Sequence, residues 1–240
     1  MLVDAGLRDG MRVLDIGCGH GDVTLLAAQL VGAGGHVLGI DRDEGAVVAA
    51  RARAAGLGLA NVGFAPGDLG ALSIDQAPFD AVIGRRVLMY LPDVVQTLGV
   101  LARLLAPGGL MAFQEHDSSG MPICATPMPL HTRASGWMWQ TVAHEGGDIR
   151  IGLHLRDALM RAGLRVEAVR AQATIITPEQ PHRITDIVRA MLPRMVAAGV
   201  TTAEEIDVDT LDARLAAERE TTNGACIWEL IFGAWARKPR

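Results

Sequence analysis

The sequence has few cysteines and no pair of them at close spacing. Cys18, Cys124 and Cys226 are odd in number and lie far apart along the chain. A disulfide framework uses an even set of cysteines and a structural zinc site uses closely spaced pairs, so neither is expected. We therefore expect reduced thiols and a cytoplasmic protein.

Long apolar runs and concentrated positive charge are also lacking. No apolar run approaches the roughly 20 residues that a membrane-spanning helix needs. Asp4, Arg8 and Asp9 interrupt the start of the chain, where a secretory signal would be apolar. The 22 basic and 27 acidic residues give a net charge of −5, and the arginines are scattered. We predict neither a nucleic-acid partner nor a membrane partner.

Apolar residues, by contrast, are abundant. Half of the 240 residues are hydrophobic and 20% are charged, which is enough for a sizeable core and argues against disorder. The length suits one domain with an elaboration, so we predict a single domain over residues 1–240.

Strand and helix patterns alternate five times in the first half of the chain. This alternation is typical of a parallel sheet with helices on both faces, which predicts a doubly wound α/β fold. Short apolar runs predict strands at 11–16, 36–41, 62–65, 79–84 and 110–114.

The pattern changes after residue 115. A loop is predicted first, followed by helices near 132–144 and 153–162, a strand at 164–177, a helical insertion at 178–223 and a last strand at 226–236. We predict a cofactor-binding half at 1–116 and two substrate-side lid segments at 117–150 and 178–223. Whether the second segment closes the site or forms a homodimer is open.

Two tryptophans and several methionines lie in the predicted lid segments. A pocket lined by them would suit an aromatic or apolar small molecule. For the methionines, the favoured role is ordinary core packing. The residues concerned are Met121, Met128, Trp137, Met138, Trp139, Met191 and Met195.

A glycine-rich turn, Asp15 to Gly21, joins the first strand to the first helix. Glycines let the backbone turn tightly and let a ligand approach closely, and a helix N-terminus attracts a carboxylate or phosphate. The dinucleotide fingerprint G-x-G-x-x-G requires glycine where this chain has Asp22. An NAD-dependent oxidoreductase is therefore the less favoured alternative.

Acidic residues follow the next two strands. Asp41 ends the second strand, where a carboxylate can accept hydrogen bonds from both ribose hydroxyls; a helix N-cap is its alternative role. Asp68 follows the third strand, where it can accept a hydrogen bond from an adenine amino group. Together with Asp15, Gly17 and Gly19, these strand ends predict a nucleoside site.

Six segments carry a family resemblance: VLDIGCGHGDVTLLAA, VLGIDRD, FAPGDL, FDAVIGRRVLMYLPD, LLAPGGLMAFQE and the closing strand IFGAWARKP. They resemble class I S-adenosylmethionine-dependent methyltransferases, in the group of ubiquinone/menaquinone-type and bacterial secondary-metabolite enzymes. The resemblance implies a Rossmann-like, seven-stranded, mostly parallel sheet with the last strand antiparallel and with helical lid insertions. It also implies S-adenosyl-L-methionine as cofactor and in-line methyl transfer to an oxygen, nitrogen or carbon nucleophile. A non-methylating S-adenosylmethionine-binding member of the same fold is left open.

The same resemblance assigns parts of the cofactor to residues. The turn holds the methionine part, Asp41 the ribose and Asp68 the adenine. Arg85 could pair with the cofactor carboxylate or form a surface ion pair. The implied cofactor site comprises Asp15, Gly17, Cys18, Gly19, His20, Asp41, Arg42, Gly67, Asp68, Leu69, Gly84 and Arg85.

A general base is needed only if the acceptor must lose a proton. His116, at the carboxyl end of the fifth strand, is the preferred candidate; its alternative role is a hydrogen bond to a loop carbonyl. No magnesium is predicted, because the fourth strand ends in Gly84 and Arg85 where metal-dependent enzymes place an acid. The weaker base candidates are Glu115, His131, His144 and His154.

Overall fold

The computed structural model describes residues 1–68 and 78–240. Strands and helices alternate through the first half as the apolar pattern predicts. In chain order the elements are β1 (Arg12–Ile16), α1 (Asp22–Val31), β2 (His36–Asp41), α2 (Glu44–Gly56), β3 (Val62–Pro66), β4 (Phe79–Arg85), a 3-10 turn (Leu88–Tyr90), α3 (Val94–Leu104) and β5 (Leu105–Asp117).

The second half contains most of the remaining helices. The insertion predicted at 178–223 forms three of them. The elements are β6 (Ile123–Cys124), α4 (Pro129–His144), α5 (Ile151–Arg161), β7 (Arg165–Ile176), α6 (Ile184–Ala197), α7 (Ala203–Ile206), α8 (Val208–Thr222) and β8 (Cys226–Arg237).

The strands form one sheet in the order β3-β2-β1-β4-β5-β8-β6, with β7 also paired to β8. The pairs from β3 to β5 are all parallel. The end of β8 bonds to the start of β5, since Lys238 N donates to Gly109 O at 2.9 Å and Gly108 N to Lys238 O at 3.1 Å. The predicted Rossmann-like α/β fold with an antiparallel last strand is confirmed. Among the described residues, the two-residue β6 adds an eighth strand.

The strand order reverses between β1 and β4, since the chain builds outward from β1 in both directions. Ligands of open α/β sheets bind at such a reversal, in the crevice beyond the carboxyl ends of the strands. Residues 17–21, after β1, and residues 86–91, after β4, lie at this point of the chain.

The chain divides into two compact units. The first comprises residues 1–115, 152–170 and 232–240, and the second comprises 116–151 and 171–231. In the first, strand residues such as Val13, Ile83 and Leu110 are wholly buried against α1 residues such as Ala27. These near-continuous apolar strands are typical of a parallel sheet covered on both faces.

The second unit has its own apolar core. Residues of α4, α6 and α8 supply most of it, and Trp228 of β8 joins them. Met128, Met138 and Met195 are buried in this core, as the core-packing alternative for the methionines predicts. None of the described helices combines the length and hydropathy that a bilayer crossing requires.

Cys124 and Cys226 form a disulfide, so the expectation of reduced thiols is wrong for this pair. The two residues lie directly opposite each other in the antiparallel pair of β6 and β8, with their Cα atoms 4.0 Å apart. Their separation of 102 residues hides this proximity in the sequence. Cys18 is buried and outside any disulfide.

Candidate active site

A cavity of about 260 Å³ lies in the first unit, at the carboxyl ends of β1, β2, β3 and β4. It contains five of the residues that the sequence predicts for a cofactor site. They are Gly17, Asp41, Arg42, Gly67 and Asp68, and the other lining residues are Ile40, Arg86, Val87, Tyr90 and Leu91.

The turn after β1 depends on glycine at position 17. Gly17 has φ +64°, and a Cβ placed on it would meet Cγ2 of Val87 at 2.4 Å. Residues 86–91, after β4, form one wall of the cavity. The chain can pass this close to the wall only because residue 17 has no side chain. The turn is also fastened to β2, since the N–H of Cys18 donates to the carbonyl of Ile40 at 3.0 Å.

Asp41 connects this turn to the start of α2. Its Oδ2 accepts from the N–H of Gly19 at 2.7 Å, and its Oδ1 accepts from the N–H of Asp43 at 2.9 Å. The helix cap is Asp43, whose Oδ1 accepts from the N–H groups of Gly45 and Ala46. The capping alternative for Asp41 is therefore not realised. Each of its carboxylate oxygens keeps a second lone pair, and Asp41 lines the cavity.

Asp15 is placed differently. It is 1% exposed, and its Oδ2 accepts from Oγ1 of Thr24 at 2.6 Å. Burial raises the pKa of Asp15 to about 7; the Thr24 hydrogen bond lowers it and the nearby charge of Asp41 raises it further. Asp15 is not among the lining residues of the cavity, and it joins β1 to the first turn of α1.

Several other predicted residues also lie away from the cavity. Cys18 is buried, and the exposed His20 accepts from Arg53 through its carbonyl at 2.6 Å. Gly84 and Arg85 line another cavity of the first unit, beside residues of α1. Leu69 falls outside the described residues.

The residue that lines the cavity after β4 is Arg86, not Arg85. Successive side chains of a strand point to opposite faces, so Arg85 turns toward α1. Arg86 has φ +56°, which takes the chain out of the strand and into the wall. Sequence reasoning missed Arg86, Val87, Tyr90 and Leu91, although all four lie within the matched segment FDAVIGRRVLMYLPD.

Glu115 holds this wall in place. Its Oε1 accepts from the N–H of Val87 at 3.0 Å and from the N–H of Leu88 at 2.9 Å. Burial raises the pKa of Glu115 to about 7, while hydrogen bonds from Leu88 and Val87 and the charge of Arg86 lower it. Its role in this geometry is to fix the turn that follows β4.

The histidine candidates belong to different surroundings. In the second unit, His116 is buried beside Glu229, and His131 is buried beside Glu218. His144 and His154 are exposed. Within residues 1–68 and 78–240, no three His, Cys, Asp or Glu side chains cluster as metal ligands would.

The second unit has a cavity of its own, of about 470 Å³. Trp137, Trp139 and Met121 line it, together with the polar residues Ser118 and Ser135. Both tryptophans of the predicted pocket therefore touch it, although Trp137 also belongs to the core of this unit.

Comparison with known proteins gives the chain's relationships. A methyltransferase domain family matches residues 7–159. The chain is 39% identical over 121 residues to an arsenite methyltransferase of Aquipseudomonas alcaligenes, covering 48% of this chain and 35% of that protein. It is 40% identical over 104 residues to the aklanonic acid methyltransferase DauC of a Streptomyces species, covering 43% and 47%.

In both cases the match spans less than half of the relative's length. Among solved structures, an S-adenosylmethionine-dependent methyltransferase of Aquifex aeolicus has a TM-score of 0.59 at 18% identity, covering 98% of this chain and 86% of that one. This likeness concerns the fold. The family match runs through β1, the glycine turn and the wall after β4, the elements that form the 260 Å³ cavity.

Proposed function

Because the chain belongs to the methyltransferase domain family, in the class I S-adenosylmethionine-dependent type, we propose that it transfers a methyl group from S-adenosyl-L-methionine to a small-molecule acceptor. One observation carries the proposal: Asp41, Asp68 and the Gly17 turn line a single cavity. A nicotinamide-dependent reaction is not supported by this family.

The lining of the cavity fits this cofactor. Asp41 offers carboxylate lone pairs to the ribose hydroxyls, and Asp68 offers an acceptor to the adenine amino group. Ile40, Val87 and Leu91 provide apolar surface for the adenine ring. When bound, the cofactor supplies an electrophilic methyl group on its sulfonium.

The amino-acid end of the cofactor needs a partner for its carboxylate. We propose Arg86 for this role, because a guanidinium binds a carboxylate through two hydrogen bonds and Arg86 lines the cavity. Glu115 then acts as a positioning residue, since it fixes the backbone on either side of Val87.

The protein's contribution to the reaction is mainly positional. Holding an acceptor in line with the bond that breaks can supply roughly 7–11 kcal/mol of the barrier reduction. We propose that residues of the lid segments at 117–150 and 178–223 select the acceptor, within one domain that has its cofactor-binding half at 1–116. Trp137 and Trp139 favour an aromatic or apolar compound. His116 accepts a proton where the acceptor carries one.

A labelled-methyl assay tests the function. Purified protein is incubated with S-adenosyl-L-methionine labelled in its methyl group and with a panel of phenols, carboxylic acids, amines and arsenite. We expect label in at least one acceptor, and much less of it with the Asp41→Ala variant at a cofactor concentration below the wild-type Kd. Cofactor binding without transfer to any acceptor would instead favour a non-methylating member of this fold.

A further inference from the structure

His116 and Glu229 form a buried pair in the second unit. Nδ1 of His116 lies 2.9 Å from Oε2 of Glu229, and the two residues are 4% and 5% exposed. The second carboxylate oxygen, Oε1, accepts from Oγ1 of Thr174 at 3.2 Å. The His116 ring stands edge-on to Trp139, with the ring centroids 5.3 Å apart. Thr174 therefore contacts the carboxylate of the pair, and Trp139 contacts its ring.

Glu229 is an unusual residue for its position in the sequence. It is the one charged residue between positions 226 and 236, which are otherwise apolar or glycine. Burying a carboxylate costs several kcal/mol unless a partner compensates it, so a wholly apolar strand would be the more stable choice. A role in the site would explain why an acid is kept there.

The pair determines which ring nitrogen of His116 is available. An ionised carboxylate only accepts hydrogen bonds, so Glu229 favours a proton on Nδ1. Nε2 then keeps its lone pair and can accept a proton from another molecule. The Nδ1–H direction is not aligned with Oε2, although the distance is short. Such imperfect alignment is common in catalytic hydrogen bonds before a substrate is bound.

A second pair in the same unit resembles this one but has a structural purpose. Nδ1 of His131 lies 2.7 Å from Oε2 of Glu218, and Trp228 stands edge-on to the ring. Glu218 also accepts from the backbone N–H groups of Leu130 and His131, so its carboxylate caps the start of α4. Burial lowers the pKa of His131. Its Nε2 is enclosed without a hydrogen-bond partner among the described residues.

The two pairs differ in which buried ring nitrogen lacks a hydrogen-bond partner among the described residues. In His131 it is Nε2, the nitrogen that would have to face a substrate, whereas in His116 it is Nδ1, which lies close to Glu229 but out of line for a hydrogen bond. The His116 pair is therefore the one suited to proton transfer.

We infer that Glu229 is the positioning residue of a His116 general base, and that the acceptor is a phenolic or enolic hydroxyl. The inference rests on the proposed function. The acceptor's O–H bond breaks, its proton forms the N–H bond at Nε2 of His116, and its electron pair stays on the oxygen as the nucleophile. A carboxylic acid is already ionised at neutral pH and would need no such pair. The aromatic surroundings of His116 favour a flat acceptor.

The first test requires no substrate. Nitrogen-15 NMR of histidine-labelled protein reports which ring nitrogen carries the proton. We expect the Nδ1–H form for His116 in the wild type and a mixture of the two forms in Glu229→Gln. The matched control, Glu218→Gln, should leave the His116 signals unchanged. A wild-type His116 in the Nε2–H form, or a Glu229→Gln variant with unaltered Nδ1–H, would overturn the inference.

The second test uses turnover with phenolic and carboxylic acceptors. We expect phenol methylation, a kcat about 100-fold lower in Glu229→Gln and an unchanged affinity for S-adenosylmethionine. Glu218→Gln should lower the melting temperature and leave kcat near wild type. If Glu229→Gln does not fold, Glu229→Asp keeps the charge and withdraws it from the ring, with a smaller loss of kcat expected. Equal kcat in the folded Glu229 variant and the wild type would refute the role, whereas failure of the wild type to bind the cofactor would refute the proposed function instead.

Discussion

The backbone N–H of Gly19 donates to Oδ2 of Asp41 at 2.7 Å. This bond joins the glycine turn after β1 to the end of β2, so the two parts of the cavity that would meet the cofactor's tail and ribose are fixed to each other. Preorganisation of this kind reduces the entropy lost on binding. A change in either residue should therefore affect both ends of the site.

Gly17→Ala should reduce stability and cofactor affinity together. The new Cβ would lie 2.4 Å from Cγ2 of Val87, and the positive φ alone costs a non-glycine residue about 1–2 kcal/mol. Gly56→Ala is the control, because Gly56 ends α2 with open space around it. That change should be neutral or stabilise by about 0.5–1 kcal/mol. Urea unfolding and cofactor titration of both variants make the comparison; equal effects would contradict the close approach at Gly17.

The contribution of Asp15 to the stability of the fold should decrease as pH rises from about 4 to about 7. Asp15 has a folded-state pKa of about 7 against an ordinary 3.8, so the folded state binds its proton more tightly and ionisation favours unfolding. The contribution is fully present below pH 4 and lost as pH rises through 7, on the order of 4 kcal/mol. Glu115 contributes with the same sign.

Asp15→Asn is the variant that isolates this effect. Its amide oxygen can still accept from Thr24, but it does not ionise, so raising the pH should lower its unfolding free energy by less than it lowers that of the wild type. Chemical denaturation at pH 5 and pH 8 measures the difference. A variant whose pH dependence matches the wild type would show that Asp15 is not the titrating group.

Glu115→Ala should weaken cofactor binding about 10-fold or more, because a hydrogen bond to a charged group contributes about 1.5–3 kcal/mol and two backbone N–H groups of the wall would lose their acceptor. Glu115→Gln keeps one carbonyl oxygen for Val87 and Leu88 and should retain most of the affinity. Calorimetry with S-adenosylmethionine distinguishes the two variants. Similar losses in both would mean that the charge of Glu115, not its acceptor geometry, matters.

Thiol titration tests the pair of Cys124 and Cys226. The unfolded protein should show one reactive thiol, from Cys18, without reductant and three after reduction. Reduction should also lower the melting temperature, since a bridge that closes roughly 100 residues can contribute about 4–5 kcal/mol in the chain-entropy description. Three thiols in the unreduced protein would contradict the bridge.

The residues at the strand ends could be predicted from the sequence, whereas contacts between residues far apart in the chain could not. Gly17, Asp41 and Asp68 lie at or just after the ends of short apolar strands. Because these strands are parallel, the three residues meet at the same edge of the sheet. The sequence indicates Arg85 and misses Arg86, because a residue string does not show where a strand ends and φ turns positive. A single step along the chain reverses the face to which a side chain points.

The pairing of residues far apart in the chain cannot be predicted from this sequence. Cys124 and Cys226 are brought together by the register of β6 and β8, and Glu229 meets His116 through strands far apart in the chain. The one visible hint for Glu229 is its charge within an apolar strand. Charged residues inside buried strands are thus worth examining as functional residues before the fold is known.

Calorimetric titration with S-adenosyl-L-methionine tests the central claim most directly. We predict one cofactor per chain for the wild type, binding weakened about 10–100-fold in Asp41→Ala through the loss of hydrogen bonds to a charged group, and wild-type affinity in Asp43→Ala. The latter removes only the α2 cap and should cost about 1 kcal/mol of stability. No binding by the wild type at millimolar cofactor, or equal affinity in wild type and Asp41→Ala, would contradict the account.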